Sequence, residues 1–123
     1  MPRAALRSDA ARFGDGEAPF LSARRLADAL GLTLTELASL TGLARNTLTA
    51  KSGARTVDSA LSPIVRILAL AAEMAGDDRR AALWFKHQPI PGWAGKTACD
   101  LVRERKADKV LAYLEAVRSG VYA

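Results

Sequence analysis

The chain has 123 residues and carries 18 Lys+Arg against 13 Asp+Glu, a formal charge of +5. That length holds about one domain or two very small ones, which excludes a large multi-site enzyme. Of the apolar residues, 25 are Ala and only 9 are Val or Ile, so the composition favours helix over a sheet-built core and the expected fold class is all-α. The positive balance permits an anionic partner, with nucleic acid the leading class, without identifying it.

A single cysteine, Cys99, cannot form an intramolecular disulfide, and a single histidine, His87, leaves no Cys/His cluster for zinc. No metal or other cofactor is expected, and a cytoplasmic compartment fits. The longest apolar run, Ile67 to Ala72, falls far short of the roughly 20 residues that span a bilayer, and the amino terminus lacks a signal-like apolar segment. A soluble, internal protein is expected.

Residues 1–18 read as a flexible basic arm: Arg3, Arg7 and Arg12 lie among alanines, and Gly14 to Glu17 with Pro19 break the pattern. Such an arm either grips phosphate or is a solvated tail. Residues 19–61 read as a helix-turn-helix unit. Ser22 is a candidate N-cap for a first helix carrying Leu26, Ala27, Ala29 and Leu30 and stopped by Gly31. A second helix starts at Thr35, turns Leu37, Ala38 and Leu40 inward and ends at Gly42, and a third runs from about Ala44 to Lys51.

Arg55 to Leu61 reads as a loop. Ser62 and Pro63 then predict the N-cap and first position of a fourth helix, whose Ile64, Ile67, Leu68, Ala71, Ala72 and Ala75 form one apolar face. That face serves either a dimer or the chain's own core. Asp77 and Asp78 suit the start of a short fifth helix through Ala81 to Phe85, with Trp84 and Phe85 as core candidates. Pro89, Pro91, Gly92 and Gly95 impose a loop. Thr97 caps a small helix with Leu101 and Val102, and a last helix from Ala107 to Ser119 presents Val110, Leu111, Leu114 and Val117 before Gly120 closes it.

The segment from Leu34 to Lys51 carries the most specific local signal. A small residue at Ala38 lets two helices cross closely, Gly42 permits a left-handed corner, and Leu37, Leu43 and Leu48 pin the pair together. With Leu48 inward, Arg45, Asn46 and Thr49 point away from the core, and these types read base edges; Thr47 lies among them, and Lys51 and Arg55 suit phosphate. No acidic residue falls between Glu36 and Asp58, so this stretch is locally basic. Ala44 offers no capping oxygen to the third helix.

Other signals carry little. Gly92 to Thr97 evokes a phosphate-binding loop, but that motif needs glycine five places before Gly95, where Ile90 stands, and a buried strand ahead. His87 has no second histidine or nucleophile to serve. Cys99 reads as a small packed residue.

Leu83-Trp84-Phe85, the proline-rich Gln88 to Pro91, Gly95-Lys96-Thr97, Asp100-Leu101-Val102 and the closing Gly120-Val121-Tyr122-Ala123 resemble the toxin-binding domain of the Xre/MbcA/ParS antitoxin family. The resemblance covers residues 62–123 and, as in the family, follows a helix-turn-helix. It implies a non-enzymatic type II antitoxin of a RES-domain toxin that degrades NAD or uses it for ADP-ribosylation. It further implies that the tail Gly120, Val121, Tyr122 and Ala123 obstructs the toxin's NAD pocket, with Lys96 as a neighbouring contact, while the helix-turn-helix represses the operon as a homodimer on operator DNA. The family pattern commonly has proline where this chain has Ala98. Two alternatives stand beside that reading: a stand-alone helix-turn-helix regulator with a dimerisation or ligand domain, and a small enzyme using the Gly95-Lys96-Thr97 loop or His87. The tail's alternative is to fold back on its own helices.

Overall fold

Ser22 sets the first helix by accepting a hydrogen bond from Arg25 N at 3.3 Å, and α1 (Ala23–Leu30) follows with Leu26, Ala27 and Leu30 buried along one side. The computed structural model describes residues 22–50 and 54–120. The arm expected over residues 1–18, Lys51, and the tail residues Val121, Tyr122 and Ala123 lie outside those described.

α2 (Leu34–Thr41) starts one residue earlier than its leucine spacing suggests. Thr33 Oγ1 accepts from Glu36 N at 3.0 Å and Glu36 Oε1 accepts from Thr33 N at 2.8 Å, a reciprocal cap that satisfies two otherwise orphaned donors. α3 (Arg45–Thr49) is a five-residue helix with no side-chain cap at Ala44.

The expected loop over Arg55 to Leu61 is instead helix. α4 (Ala54–Ala75) runs 22 residues straight through Pro63, which is therefore an interior proline and not the first residue of a helix. An interior proline loses one hydrogen bond and strains the preceding turn, at a cost of about 3 kcal/mol. Upstream burial offsets it: Val57, Leu61, Ile64 and Leu68 continue one buried stripe across the proline, and each such side chain contributes roughly 1.5–3 kcal/mol. Tertiary burial overrides the local signal. The stripe does not stop at a face, since Ile67 to Ala71 are all buried, so this stretch of α4 is enclosed in the chain's own core.

α5 (Asp78–His87) turns away from α4 at 115° after Gly76 and is capped by Asp77, whose Oδ1 accepts from Arg80 N at 2.7 Å. It extends two residues beyond the predicted Phe85. α6 (Ala98–Arg103) has a Thr97/Asp100 capping box, so the start at Ala98 is well formed without proline. α7 (Ala107–Arg118) buries Val110 and Leu114 and half-buries Leu111 and Val117.

The described residues thus form an all-α protein, with a bundle of α1 to α3 leaning on the carboxy-terminal helices. α5 and α7 pack on α4, α1 also touches α5, and α2 also touches α6. One hydrophobic cluster includes Leu26, Leu30, Leu37 and Leu40 from the first part and Phe85, Ile90, Leu101 and Leu114 from the second. Among the described residues no single helix is long and apolar enough to cross a membrane.

Candidate nucleic-acid and partner interfaces

The corner between α2 and α3 is built from local hydrogen bonds. Gly42 sits at φ 75, in the left-handed region that favours glycine, and its N–H donates to Ala38 O at 2.8 Å. Thr41 Oγ1 donates to Ala38 O at 3.2 Å and accepts from Leu43 N at 3.3 Å. Leu37 and Leu48 are buried, and Ala38 and Leu43 are half-buried against the same core. The chain is thereby turned so that α3 lies across α2.

With Leu48 anchored, Arg45, Asn46 and Thr49 are exposed and Thr47 is half-buried. Arg55, expected in a loop, lies exposed in the first turn of α4. Neither Arg45 nor Arg55 forms an ion pair with a carboxylate among the described residues, so their cationic donors are available to an external anion. Thr49 Oγ1 returns a long bond to Asn46 O at 3.5 Å. A guanidinium, an amide and a hydroxyl on one exposed helical surface are groups that donate to or accept from base edges.

In the second part, residues 88–97 form a loop closed on itself by backbone bonds rather than an open one. Pro89 and Thr97 make an isolated antiparallel bridge; Ile90 N donates to Lys96 O at 2.8 Å, and Lys96 N donates to Trp93 O at 3.0 Å. Ile90 plugs the loop into the core. Lys96 Nζ lies 2.7 Å from Glu104 Oε2, Lys106 Nζ lies 3.4 Å from Glu104 Oε1, and Lys106 also sits 5.4 Å over the Trp93 ring. The lysine hydrogen bond holds the Glu104 carboxyl below its ordinary range, with the charges of Lys96 and Lys106 adding to it. Lys96 is therefore already tied within the chain.

Beside α7 an open groove of about 220 Å³ is walled by Met74 and two alanines of α4, by Trp84, and by Tyr113, Leu114 and Val117. Trp84 is only half-buried and so departs from the full core position that Phe85 occupies. Met74 is 40% exposed and Leu83 46%. α7 closes with Gly120 N donating to Val117 O at 3.0 Å, so the chain leaves the helix close to the groove's Val117 wall. His87 is exposed at the end of α5, and among the described residues no group of His, Cys, Asp and Glu could hold a metal. Cys99 is buried; desolvation pushes its thiol up against the opposing charge of Arg103, whose Nη2 lies 3.7 Å from Sγ.

A profile of the antitoxin Xre-like helix-turn-helix domain matches residues 9–65, and a profile of the antitoxin Xre/MbcA/ParS C-terminal toxin-binding domain matches residues 70–120. The chain belongs to the Xre/MbcA/ParS antitoxin domain family. No curated protein and no solved structure matches it. In this Xre/MbcA/ParS chain the two matched segments meet inside α4 and not in a linker. The groove and the Lys96–Glu104 loop both fall within the toxin-binding match. The groove is not legible in the sequence, because its walls come from three separated helices.

Proposed function

We propose that the chain is a cytoplasmic, non-enzymatic type II antitoxin that neutralises a RES-domain toxin, one that degrades NAD or uses it for ADP-ribosylation. The tail Gly120, Val121, Tyr122 and Ala123 obstructs the toxin's NAD pocket, and Lys96 lies on the neighbouring loop. The helix-turn-helix represses the operon as a homodimer through Arg45, Asn46, Thr47, Thr49, Lys51 and Arg55. Residues 1–18 act as an arm, 19–61 as the DNA-binding unit and 62–123 as the toxin-binding unit.

The observation that carries this reading is the tandem order of the two family matches on one short chain. The exposure of Arg45, Asn46 and Thr49 opposite buried Leu48 supports its DNA arm. For the tail, Val121 and Tyr122 offer apolar area and a hydroxyl to a nucleotide pocket. A dimer matches the need of helix-turn-helix proteins for two half-sites.

Co-expression with a RES-domain protein of the same operon tests the reading: the full chain should restore growth, and removal of Val121 to Ala123 should leave a folded protein with much weaker protection. Full protection by the truncated chain would refute the tail mechanism. A second reading, a stand-alone regulator whose second half takes a small ligand, draws on the apolar groove; recovery of the tagged chain with DNA and without a protein partner would favour it.

A further inference from the structure

α1 and α2 both end on a glycine, and each glycine faces a cation supplied by the second half of the chain. At Gly42 the Arg105 guanidinium occupies the space a Cβ would need, and Arg105 Nη1 donates to Leu40 O at 2.8 Å across 65 residues of sequence. At Gly31, φ 69, a Cβ would stand 3.1 Å from Lys86 Nζ. Both cations sit at helix C-termini, where unpaired carbonyls and the negative end of the helix dipole favour positive charge.

The Arg105 contact is the more specific of the two. Arg105 itself has φ 67, a left-handed conformation that non-glycine residues rarely adopt and that persists only where the surroundings over-determine it. Its neighbours supply that determination: Glu104 is bonded to Lys96, Lys106 lies over Trp93, and Arg105 N donates to Val102 O at 3.0 Å. The turn that aims the guanidinium at the corner of α2 and α3 also carries Glu104, which ion-pairs with Lys96 of the 88–97 loop.

α3 rests on α1, α2 and α4 and on the corner's own hydrogen bonds, and has few anchors of its own. It is five residues long, lacks a side-chain cap and enters the core only through Leu48. We propose that Arg105 is a positioning residue for DNA reading: it holds the α2–α3 corner through Leu40 and Gly42, and so ties the orientation of Arg45, Asn46 and Thr49 to the loop that carries Lys96. The DNA arm of this proposal rests on the helix-turn-helix reading above; the corner arm does not.

Arg105→Gly in the full chain is the deciding variant, because glycine accepts φ 67 without strain, so the side chain is lost without a new backbone clash at that turn. Three quantities are read: amide hydrogen exchange residue by residue, the thermal midpoint, and affinity for a duplex carrying the sequence directly upstream of this chain's reading frame. Losing a charge-assisted bond should speed exchange at Gly42, Leu43 and the α3 amides roughly tenfold or more and weaken the duplex by a similar factor, with exchange in α5 and α7 unchanged. Arg105→Lys, which keeps a donor but not the fork, should recover part of both. Unchanged exchange at the corner overturns the proposal. So does faster exchange spread evenly over all helices with a fall in the midpoint, which marks a merely structural residue, or a loosened corner with undiminished affinity. If the unmodified chain binds no duplex, the repressor reading fails separately, and the corner exchange alone decides whether Arg105 holds α3.

Discussion

Replacing Phe85 by alanine should weaken both halves of the molecule together. The ring is fully buried on α5, which packs on α4 and also touches α1 and α6. Removing a buried Phe side chain and leaving a cavity costs about 3–5 kcal/mol. A chain of this size has a total stability of roughly 6–15 kcal/mol, so the variant loses about a fifth or more of it, and the midpoint should fall by roughly 10–25 °C. Urea unfolding followed by the fluorescence of Trp84 and Trp93 reports on the second half, and amide exchange of Leu26, Leu37 and Leu40 reports on the first. If the core is continuous, exchange in α1 and α2 accelerates by about 10²–10³·⁵, the same factor seen in α5 to α7. Wild-type protection in α1 and α2 alongside collapse of α5 to α7 would refute the single core and restore two independently folded units.

Other expectations are more local. Arg45→Ala with Asn46→Ala should lower operator affinity by roughly 25-fold or more, since each base contact is worth about 1–3 kcal/mol, while toxin neutralisation is retained; loss of both activities in a protein with an unchanged melting curve would contradict the assignment. Glu36, Asp100 and Glu104 all have carboxyls held below their ordinary range, the first two chiefly by backbone N–H donors at helix starts and the third by Lys96. Depressed folded values contribute stability that is present above the unfolded values, 3.8 for Asp and 4.5 for Glu, and is lost as pH falls through the folded ones. The midpoint should therefore drop on acidification below about pH 4.5, and NMR titration of any of these three carboxyls at or above its ordinary value would contradict the hydrogen bonds described. Cys99, buried with a raised thiol, should react with iodoacetamide only at the rate of unfolding; rapid alkylation of the folded chain would show that the site is open.

Helix caps and short-range periodicity were readable because their causes are local. Ser22, Thr97, the Asp77/Asp78 pair and the inward set Leu37, Leu48, Val110 and Leu114 all reappear in the roles their spacing suggests. Pro63 misled for a complementary reason. Ser-Pro is a good local start signal, and only the burial of Val57 and Leu61 against partners far along the chain shows that the helix has already been running for two turns. Residues 88–97 read correctly as a loop, but their closure by Glu104 and Lys106 joins side chains from different elements, which no periodicity encodes.

The same contrast bears on how the two family segments are joined. Gly42 is legible as a helix-turn-helix corner from sequence alone, yet the identity of what fills its missing Cβ is not, because Arg105 reaches it from beyond α6. The α2–α3 corner and the 88–97 loop thus both contact neighbouring residues of one turn, Glu104 facing the loop and Arg105 facing the corner. The two family segments divided along the sequence are joined in space at α4, at the shared core and at that turn. A partner that pulled Lys96 away from Glu104 would therefore remove one contact of the turn from which Arg105 reaches α2.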